Sequence, residues 1–223
     1  MMEYVQVPSA SLVHGRGLTY EQLALVEPLA IGAHAVRRAA VSASDTVLVM
    51  GAGPIGMGVM ELARIAGARV IAMDVNENRL AFCSMRLGIA DTINATKTDA
   101  AAALRELTNG DMATVVIDAT GNLGAINNGI NFLAHGGTYV LVGLQKQAFS
   151  FSHPEFHKRE STLMSSRNAT REDFDRVVAG ICSGQIDVTR YISHLAGFDE
   201  VAESFPFWLD PANGVIKAMV RVD

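Results

Sequence analysis

The sequence predicts an α/β fold in which helices cover both faces of a parallel, doubly wound sheet. Short apolar segments alternate with helix-like segments between residues 46 and 142, which is the pattern of right-handed strand–helix–strand crossovers. The first apolar segment, residues 46–50, is apolar almost throughout, as expected of a strand covered on both faces. Only 6% of the residues are aromatic while 20 are glycine, and this composition also suits an α/β protein.

Glycines mark the ends of several predicted elements in this central part. Gly67 and Gly88 stand where helices end, and the pair Gly136-Gly137 predicts the turn before the last strand. Apolar residues recur at helical spacing after residue 54. We predict strands at residues 46–50, 69–74, 92–94, 114–118 and 138–142, and helices at 54–66, 76–87, 98–108 and 123–134.

The two ends of the chain predict partial structures rather than further domains. The 223 residues correspond to about one and a half domains. We therefore expect one complete domain at residues 41–165 and two arms of a second, at 1–40 and 166–223. In these arms and at the edge of the sheet we predict a strand at 3–7, a helix over 20–40 that Glu27-Pro28 interrupts, a strand near 160–165, helices at 171–183 and 198–209, and a strand at 215–222.

Charge and cysteine content exclude several classes of protein. With 18 Lys and Arg against 23 Asp and Glu, the net charge of −5 argues against nucleic acid or an anionic membrane as the main partner. No signal peptide and no apolar run of about 20 residues is evident, so we expect a cytoplasmic protein. The two cysteines, Cys83 and Cys182, exclude a disulfide framework and a four-cysteine zinc site. Both are predicted to pack as apolar residues on helices.

The strongest motif is the glycine-rich turn Gly51-Ala52-Gly53-Pro54-Ile55-Gly56, which follows a predicted strand and opens a predicted helix. In a dinucleotide site the first glycine makes the tight turn, the second lets the backbone approach a pyrophosphate, and the third lets helix and strand pack closely. The amides and the dipole of the helix N-terminus then favour the phosphates. Glycine-rich turns are common, so the motif alone is weak evidence.

Asp74 strengthens the motif because it ends the next predicted strand, 23 residues after Gly51. A carboxylate at this position accepts hydrogen bonds from the ribose hydroxyls of an adenosine and repels a 2′-phosphate, so NAD is favoured over NADP. The next residue is Val75, so no arginine stands there to pair with a 2′-phosphate. Arg79 either flanks the adenine or is a solvated helix residue.

Three further short motifs accompany the glycine turn and Asp74, namely Glu27-Pro28-Leu29-Ala30-Ile31-Gly32, Asp118-Ala119-Thr120-Gly121 and Val142-Gly143-Leu144. In order and spacing, all of these motifs resemble those of the medium-chain dehydrogenases/reductases, specifically the zinc-type alcohol and polyol dehydrogenases. Residues 151–160 and 166–170 are similar to the sugar-acid and polyol-oxidising members. The resemblance covers essentially the whole chain.

The resemblance implies roles for particular residues along one NAD molecule. Gly53, Pro54 and Ile55 would contact the pyrophosphate, and Asp74 the adenosine ribose. Glu27 matches an acidic position at or beside the catalytic zinc of relatives, although it could equally be an exposed turn carboxylate. Arg167 matches a position near the substrate, or it forms a structural ion pair. The nicotinamide half would lie along Thr120 and Gly121, with its carboxamide facing the backbone of Val142, Gly143 and Leu144.

The resemblance also implies what this sequence lacks. Family members carry a Cys and a His-Glu pair as zinc ligands in an N-terminal barrel domain, and this sequence has no equivalent of them. Residues 1–40 and 166–223 would then be the remnant of that catalytic domain around a Rossmann-type NAD-binding domain. His153 and His157 have a ligand-like spacing, but Pro154 lies between them and the segment is predicted to be a loop, so we predict no metal site.

Two functions follow as hypotheses. In the first, the chain belongs to an NAD-dependent dehydrogenase acting on a secondary alcohol of a polyol or sugar acid. By itself it would bind NAD(H) but turn over slowly, because zinc supplies the Lewis acid in this chemistry. The alternative is a non-catalytic dinucleotide-sensing module, which would have no use for Glu27 or Arg167. The strand at 160–165 resembles the edge through which family members pair, so we expect a homodimer or a higher oligomer.

Overall fold

The computed structural model describes residues 4–222 and contains eight helices and eight strands within them, besides five 3-10 turns. The α-helices are α1 Tyr20–Arg38, α2 Pro54–Ile65, α3 Glu77–Leu87, α4 Ala100–Leu107, α5 Leu123–Asn128, α6 His153–Lys158, α7 Arg171–Cys182 and α8 Val201–Leu209. The strands are β1 Thr46–Met50, β2 Arg69–Asp74, β3 Asp91–Asn94, β4 Ala113–Asp118, β5 Leu133–Leu141, β6 Thr162–Ser165, β7 Ile192–Gly197 and β8 Lys217–Arg221.

Six parallel strands form one sheet in the order β3-β2-β1-β4-β5-β6, which confirms the predicted fold class. The chain runs outward from β1 to β3 and then returns to place β4 on the other side of β1. The connections that leave β1 and β4 therefore diverge and open a crevice at the carboxyl ends of these two strands. In sheets of this kind, that crevice is where ligands bind.

Alternate side chains of each central strand enter two separate cores. Val47 and Val49 of β1 pack into the core that includes α1, α2 and α7, while Leu48 and Met50 pack into the core on the opposite face. All four side chains are at most 1% exposed. Burial on both faces explains why the strand is apolar throughout.

Helix α1 continues through Pro28 without a break, so the predicted interruption at Glu27-Pro28 is wrong. Proline removes one amide hydrogen bond, but packing outweighs this cost here. Buried Leu29 lies against Gly58 of α2, where an added Cβ would come within 3.1 Å of its Cδ2. At Gly32 an added Cβ would lie 3.0 Å from the Val59 amide nitrogen, so α1 and α2 are in backbone contact.

The predicted helix over 123–134 is also wrong in its second half. Helix α5 ends at Asn128, a 3-10 turn covers Gly129–Phe132, and β5 then begins at Leu133 and runs through the predicted Gly136-Gly137 turn. The strand begins this early because Leu133 pairs with Ala113 of β4, after which the register shifts to the pair of Val115 and Thr138. The 3-10 turn before it is closely packed. The Tyr139 hydroxyl donates to the carbonyl of Ile126 at 3.0 Å and occupies the space where a side chain at position 129 would stand.

Smaller differences concern the flanks. Residues 4–7 form no strand, and Glu3 lies outside the described residues. The predicted loop over 151–160 contains α6, where Pro154 occupies the first turn and so removes no intrahelical hydrogen bond.

Strand β7 was not predicted, and it pairs in parallel with β8. Cys83 is buried as predicted, whereas Cys182 is exposed at the end of α7, contrary to the prediction.

A buried carboxylate joins α1 to α7. The side chain of Asp173 is fully buried and accepts hydrogen bonds from Arg37 Nε at 2.8 Å, from Arg37 Nη2 at 3.1 Å, and from the amide and hydroxyl of Thr170 at 2.8 Å each. His34 Nδ1 lies 2.8 Å from the same carboxylate. Burial alone would raise the pKa of Asp173, but the hydrogen bonds from Arg37 and Thr170 outweigh it and hold the pKa well below its usual range.

We predict that Asp173→Asn lowers the free energy of unfolding by about 3 kcal/mol, because it removes the buried charge that accepts hydrogen bonds from Arg37 and Thr170. The substitution leaves Arg37 only its exposed ion-pair partner Glu172. The control is Asp175→Asn on the same helix. It removes only an exposed pair with Arg171 and should cost less than about 1 kcal/mol. Urea denaturation of the variants measures both values, and equal losses would contradict the prediction.

The same network predicts a pH dependence. Because the folded pKa of Asp173 is depressed, its contribution to stability is present above the unfolded pKa of about 3.9 and is lost as the pH falls below it. The wild-type chain should therefore lose more stability than Asp173→Asn on acidification from about pH 6 to about pH 3. Parallel curves for the two proteins would overturn this assignment.

Candidate functional site

A cavity of about 360 Å³ opens at the carboxyl ends of β1, β2 and β4. It lies at the crevice where the order of the sheet reverses, and it brings together several residues that the sequence motifs singled out. Its lining consists of Met50, Gly51, Gly53, Met73, Asp74, Val75, Arg79, Ala95, Ala119, Thr120, Asn122 and Ala125.

The three glycines of the turn after β1 differ in their surroundings. A Cβ at Gly56 would lie 1.8 Å from the Gly51 carbonyl oxygen, and Gly51 has a φ of 98°, so packing and backbone conformation require glycine at both positions. A Cβ at Gly53 would meet nothing within 4 Å, which leaves open space in front of this residue. Because Pro54 has no N–H, the amides of Ile55 and Gly56 are the first donors that α2 directs at this space.

The carboxylate of Asp74 is fixed beside this turn. Its Oδ2 accepts from the Ala52 amide at 2.5 Å, and its Oδ1 accepts from the Asn76 amide at 2.8 Å. The side chain is half-buried, and each oxygen keeps a further lone pair for a ligand. Val75, the next residue, is 63% exposed and brings no positive charge to this position.

Arg79 lies between two cavities. It lines the cavity at the carboxyl ends of β1, β2 and β4 and also one of about 160 Å³, whose wall includes Phe82, Trp208 and Asp210. Arg79 thus belongs to the walls of both cavities, and Trp208 of the C-terminal arm belongs to the wall of the second.

The turns after β4 and β5 are in direct backbone contact. A Cβ at Gly143 would lie 2.2 Å from the Gly121 amide nitrogen, and one at Gly121, where φ is 61°, would lie 2.9 Å from the Leu144 carbonyl oxygen. The amides of Val142 and Gly143 both donate to the carbonyl of Asp118, at 2.9 and 3.0 Å. These two amides are therefore occupied within the protein, whereas Leu144, the next residue, is exposed.

The sequence motifs placed no role on Asp118, which organises this region. It ends β4, is fully buried, and accepts from the Thr120 hydroxyl at 2.8 Å and from the amides of Thr120 and Gly121 at 3.2 Å each. Burial raises the pKa of Asp118, even though hydrogen bonds from Thr120 and Gly121 oppose the rise. A carboxylate at the end of an apolar strand, as at Asp74, is the sequence signal that could have identified it.

The structure does not bring Glu27 or Arg167 into the lining of the cavity. The lining also lacks part of the predicted cofactor residues, namely Pro54, Ile55, Gly56, Gly121, Val142, Gly143 and Leu144. Glu27 is exposed in the middle of α1, so it is a helical residue and not part of a turn. Arg167 is exposed two residues after β6, at the same edge of the sheet as the cavity. Among residues 4–222 it takes part in no ion pair.

The described part of the chain does not offer a zinc site. Within residues 4–222, no group of three or more His, Cys, Asp or Glu side chains is arranged to hold a metal ion. His153 and His157 share the short helix α6, with ring centroids 5.9 Å apart, but no third ligand joins them there. Over the same residues, no helix has the length and apolar character needed to cross a membrane.

Comparison with known proteins assigns the family. Residues 54–183 match the family model described as zinc-binding dehydrogenase, which is more than half of the chain. The chain belongs to the zinc-binding dehydrogenase family. This confirms the resemblance drawn from the sequence motifs.

Particular members of the zinc-binding dehydrogenase family are similar over most of this chain. L-galactonate-5-dehydrogenase of Escherichia coli (strain K12) is 44% identical over 203 residues, which are 91% of this chain and 59% of that protein. The structure of 2R,3R-butanediol dehydrogenase from Bacillus subtilis matches with a TM-score of 0.84 and 27% identity, covering 92% of this chain and 59% of that one.

A third relative shows the fold alone. It is a short chain alcohol dehydrogenase from E. coli CFT073 complexed with NADH, with a TM-score of 0.84 at 24% identity, and the match covers 98% of this chain and 62% of that one. The chain thus spans 59–62% of the length of these three relatives.

We predict unequal effects for two alanine substitutions in the glycine turn of this chain. Gly56→Ala should lower the free energy of unfolding by about 3 kcal/mol, because its Cβ would overlap the Gly51 carbonyl and force the turn apart. Gly53→Ala should stay within about 0.5 kcal/mol of wild type, since its Cβ would enter open space. Urea denaturation measures both, and a large loss for Gly53→Ala would show that this space is needed by the fold itself.

Proposed function

We propose that this chain is the NAD(H)-binding part of a dehydrogenase that transfers a hydride between a secondary alcohol and NAD. The observation that carries the proposal is the open space in front of Gly53, with the first amides of α2 facing it and a fixed Asp74 carboxylate beside it. This combination suits a pyrophosphate followed by a ribose. Family membership supports the same assignment.

Each part of the dinucleotide has candidate partners in the proposed arrangement. Gly53, Pro54, Ile55 and Gly56 would hold the pyrophosphate through backbone groups, after the tight turn at Gly51. Asp74 would accept from the adenosine ribose, and Arg79 would flank the adenine. When bound, NAD supplies the hydride acceptor for the alcohol carbon. For the nicotinamide half the proposed partners are Thr120, Gly121, Val142, Gly143 and Leu144.

Electrostatics favour NAD over NADP in this proposal. A 2′-phosphate would stand next to the Asp74 carboxylate, and like charges at hydrogen-bonding distance repel each other. Arg79 carries the opposite charge five residues further on, but it also lines the neighbouring cavity with Asp210. The carboxylate that is fixed by Ala52 and Asn76 therefore decides the preference.

The proposed substrate is a small polyol or sugar acid. The name of the 44% identical relative, L-galactonate-5-dehydrogenase, supports this class. Arg167 offers an exposed cation at the carboxyl edge of the sheet, on the side of β5 and β6, where a substrate carboxylate would meet it. Glu27 is a second candidate for substrate contact. The described residues do not form a zinc site, so their contribution is to bind and orient the cofactor, in what we propose is a cytoplasmic enzyme.

We predict that NADH quenches the fluorescence of Trp208 saturably, because this tryptophan, the only one in the sequence, lines the cavity next to Arg79. Asp74→Ala should weaken NADH binding about tenfold through the lost hydrogen bonds to the ribose. It should weaken NADPH binding little, since it also removes a repulsion.

The control is Asp91→Ala, which removes a carboxylate paired with Arg69 at the opposite edge of the sheet and should leave both affinities unchanged. An equal loss of NADH and NADPH binding in Asp74→Ala would contradict the ribose role. If neither fluorescence nor calorimetry detects NADH binding to the wild-type chain, the proposed function is wrong.

We also propose that two copies pair through β6. This strand is the last of the sheet, so one of its edges has no neighbouring strand among the described residues. Unpaired edges invite pairing with a second chain. We predict a light-scattering mass of twice the 23.8 kDa of one chain. Thr162→Lys, at an exposed position of β6, should lower this mass because two added charges would face each other, whereas a 23.8 kDa wild-type species at high concentration would refute the pairing.

A further inference from the structure

We infer that Asp118 is a positioning residue for the nicotinamide half of the cofactor: it does not reach the cavity but fixes the residues that do. The inference rests on the proposed function, because it assumes that a dinucleotide occupies the cavity. It concerns a residue to which the sequence motifs gave no role of its own. Three features of its surroundings carry the argument.

The first feature is that the carboxylate accepts three hydrogen bonds, all from the turn that follows β4. Oδ2 accepts from the Thr120 hydroxyl at 2.8 Å, and Oδ1 accepts from the amides of Thr120 and Gly121. No lysine, arginine or histidine in the described chain forms an ion pair with Asp118. Burying a carboxylate without a neighbouring cation costs free energy. Among the described residues, the hydrogen bonds from Thr120 and Gly121 offset this cost.

The second feature is the chain of contacts from Asp118 to the lining of the cavity. The Thr120 oxygen that donates to Asp118 also accepts from the Asn122 amide at 3.0 Å. Asn122 in turn accepts from the Ala125 amide at 3.1 Å and so begins α5. Thr120, Asn122 and Ala125 all line the cavity. The orientation of three lining residues thus depends on one buried acceptor.

The third feature is that Asp118 joins the turns after β4 and β5 and places one of them on the glycine turn. Its carbonyl accepts from the amides of Val142 and Gly143, while its carboxylate holds Thr120 and Gly121. The Thr120 methyl group lies against Gly51, where an added Cβ would come within 3.0 Å of it. The carboxyl ends of β1, β4 and β5 are therefore fixed relative to one another through this residue.

These features explain why aspartate stands here and why asparagine would not replace it. The amide nitrogen of an asparagine would face the Thr120 oxygen, which already accepts from Asn122. The Thr120 hydroxyl proton would then have no acceptor, and its side chain would turn away from its present position. Asp118→Asn keeps the size of the side chain and one acceptor for the two amides, so it tests the orientation of Thr120 rather than the packing.

The test compares two ligands that share the adenosine diphosphate part. NADH carries the nicotinamide, whereas ADP-ribose lacks it and depends on the Asp74 and Gly53 side of the cavity. Calorimetry on Asp118→Asn should show NADH binding weakened about tenfold and ADP-ribose binding changed less than twofold. Equal losses for the two ligands, or no loss for either, would overturn the inference.

A matched control stands at the opposite edge of the same sheet. Asp45 accepts from the Thr114 hydroxyl at 2.8 Å and from the Ser42 amide at 2.8 Å, so Asp45→Asn removes the same kind of contact far from the cavity. It should leave the ratio of NADH to ADP-ribose affinity as in wild type. A shift of this ratio equal to that in Asp118→Asn would indicate a general effect of stability and would also overturn the inference.

Two further outcomes separate this inference from the proposed function. If Asp118→Asn does not fold, Thr120→Val tests the same hydrogen bond. It removes the hydroxyl and should weaken NADH binding selectively in the same way. When both variants fold, their double variant should lose no more than either alone, since they break the same hydrogen bond. A wild-type chain that binds neither ligand would refute the proposed function. A wild-type chain that binds both, combined with unselective variants, would refute only the role of Asp118.

Discussion

A row of main-chain hydrogen bonds continues past the ends of the strands, and the rest of the site depends on it. The Gly51 amide donates to Met73, the Ala119 amide to Met50, the Val142 amide to Asp118 and the Ser166 amide to Leu141. Each turn is thereby fixed to the end of the neighbouring strand before it leaves the sheet. The parallel order of the strands places all these turns at one edge.

This constraint explains why glycine and aspartate stand at the carboxyl edge. Backbones that approach one another this closely leave no room for a Cβ, as at Gly56 and Gly143. They also direct several amides into a small volume, where a carboxylate such as Asp74 or Asp118 is the side chain that accepts most of them. The two carboxylates differ in their surroundings, since Asp74 is half-buried in the lining of the cavity and Asp118 is fully buried within the protein.

The carboxyl edge of the sheet is supported by two helices, α1 and α7, that lie toward the two ends of the chain. Helices α1 and α7 lie at the two flanks of the chain, yet Asp173 joins them through Arg37 and His34, and α1 packs on α2. Helix α2 begins at the glycine turn, so its position is set partly by contacts with residues before the sheet. Side chains of α1 and α7 therefore belong to the same packed core as the sheet, while the division at residues 40 and 165 stays a prediction.

The sequence by itself determined the fold class, the crevice and the glycine turn with Asp74, because these follow from local patterns: apolar runs, glycine spacing and a strand-terminal carboxylate. Only the tertiary structure decided the elements whose local signals were overruled. Pro28 stays within α1 because packing of the neighbouring Leu29 against Gly58 outweighs one lost hydrogen bond, and β5 begins early because Leu133 pairs with Ala113 of β4. Asp118 and Asp173 are ordinary acidic residues in the sequence. Their importance comes from donors brought together from distant turns and helices, which no local pattern records.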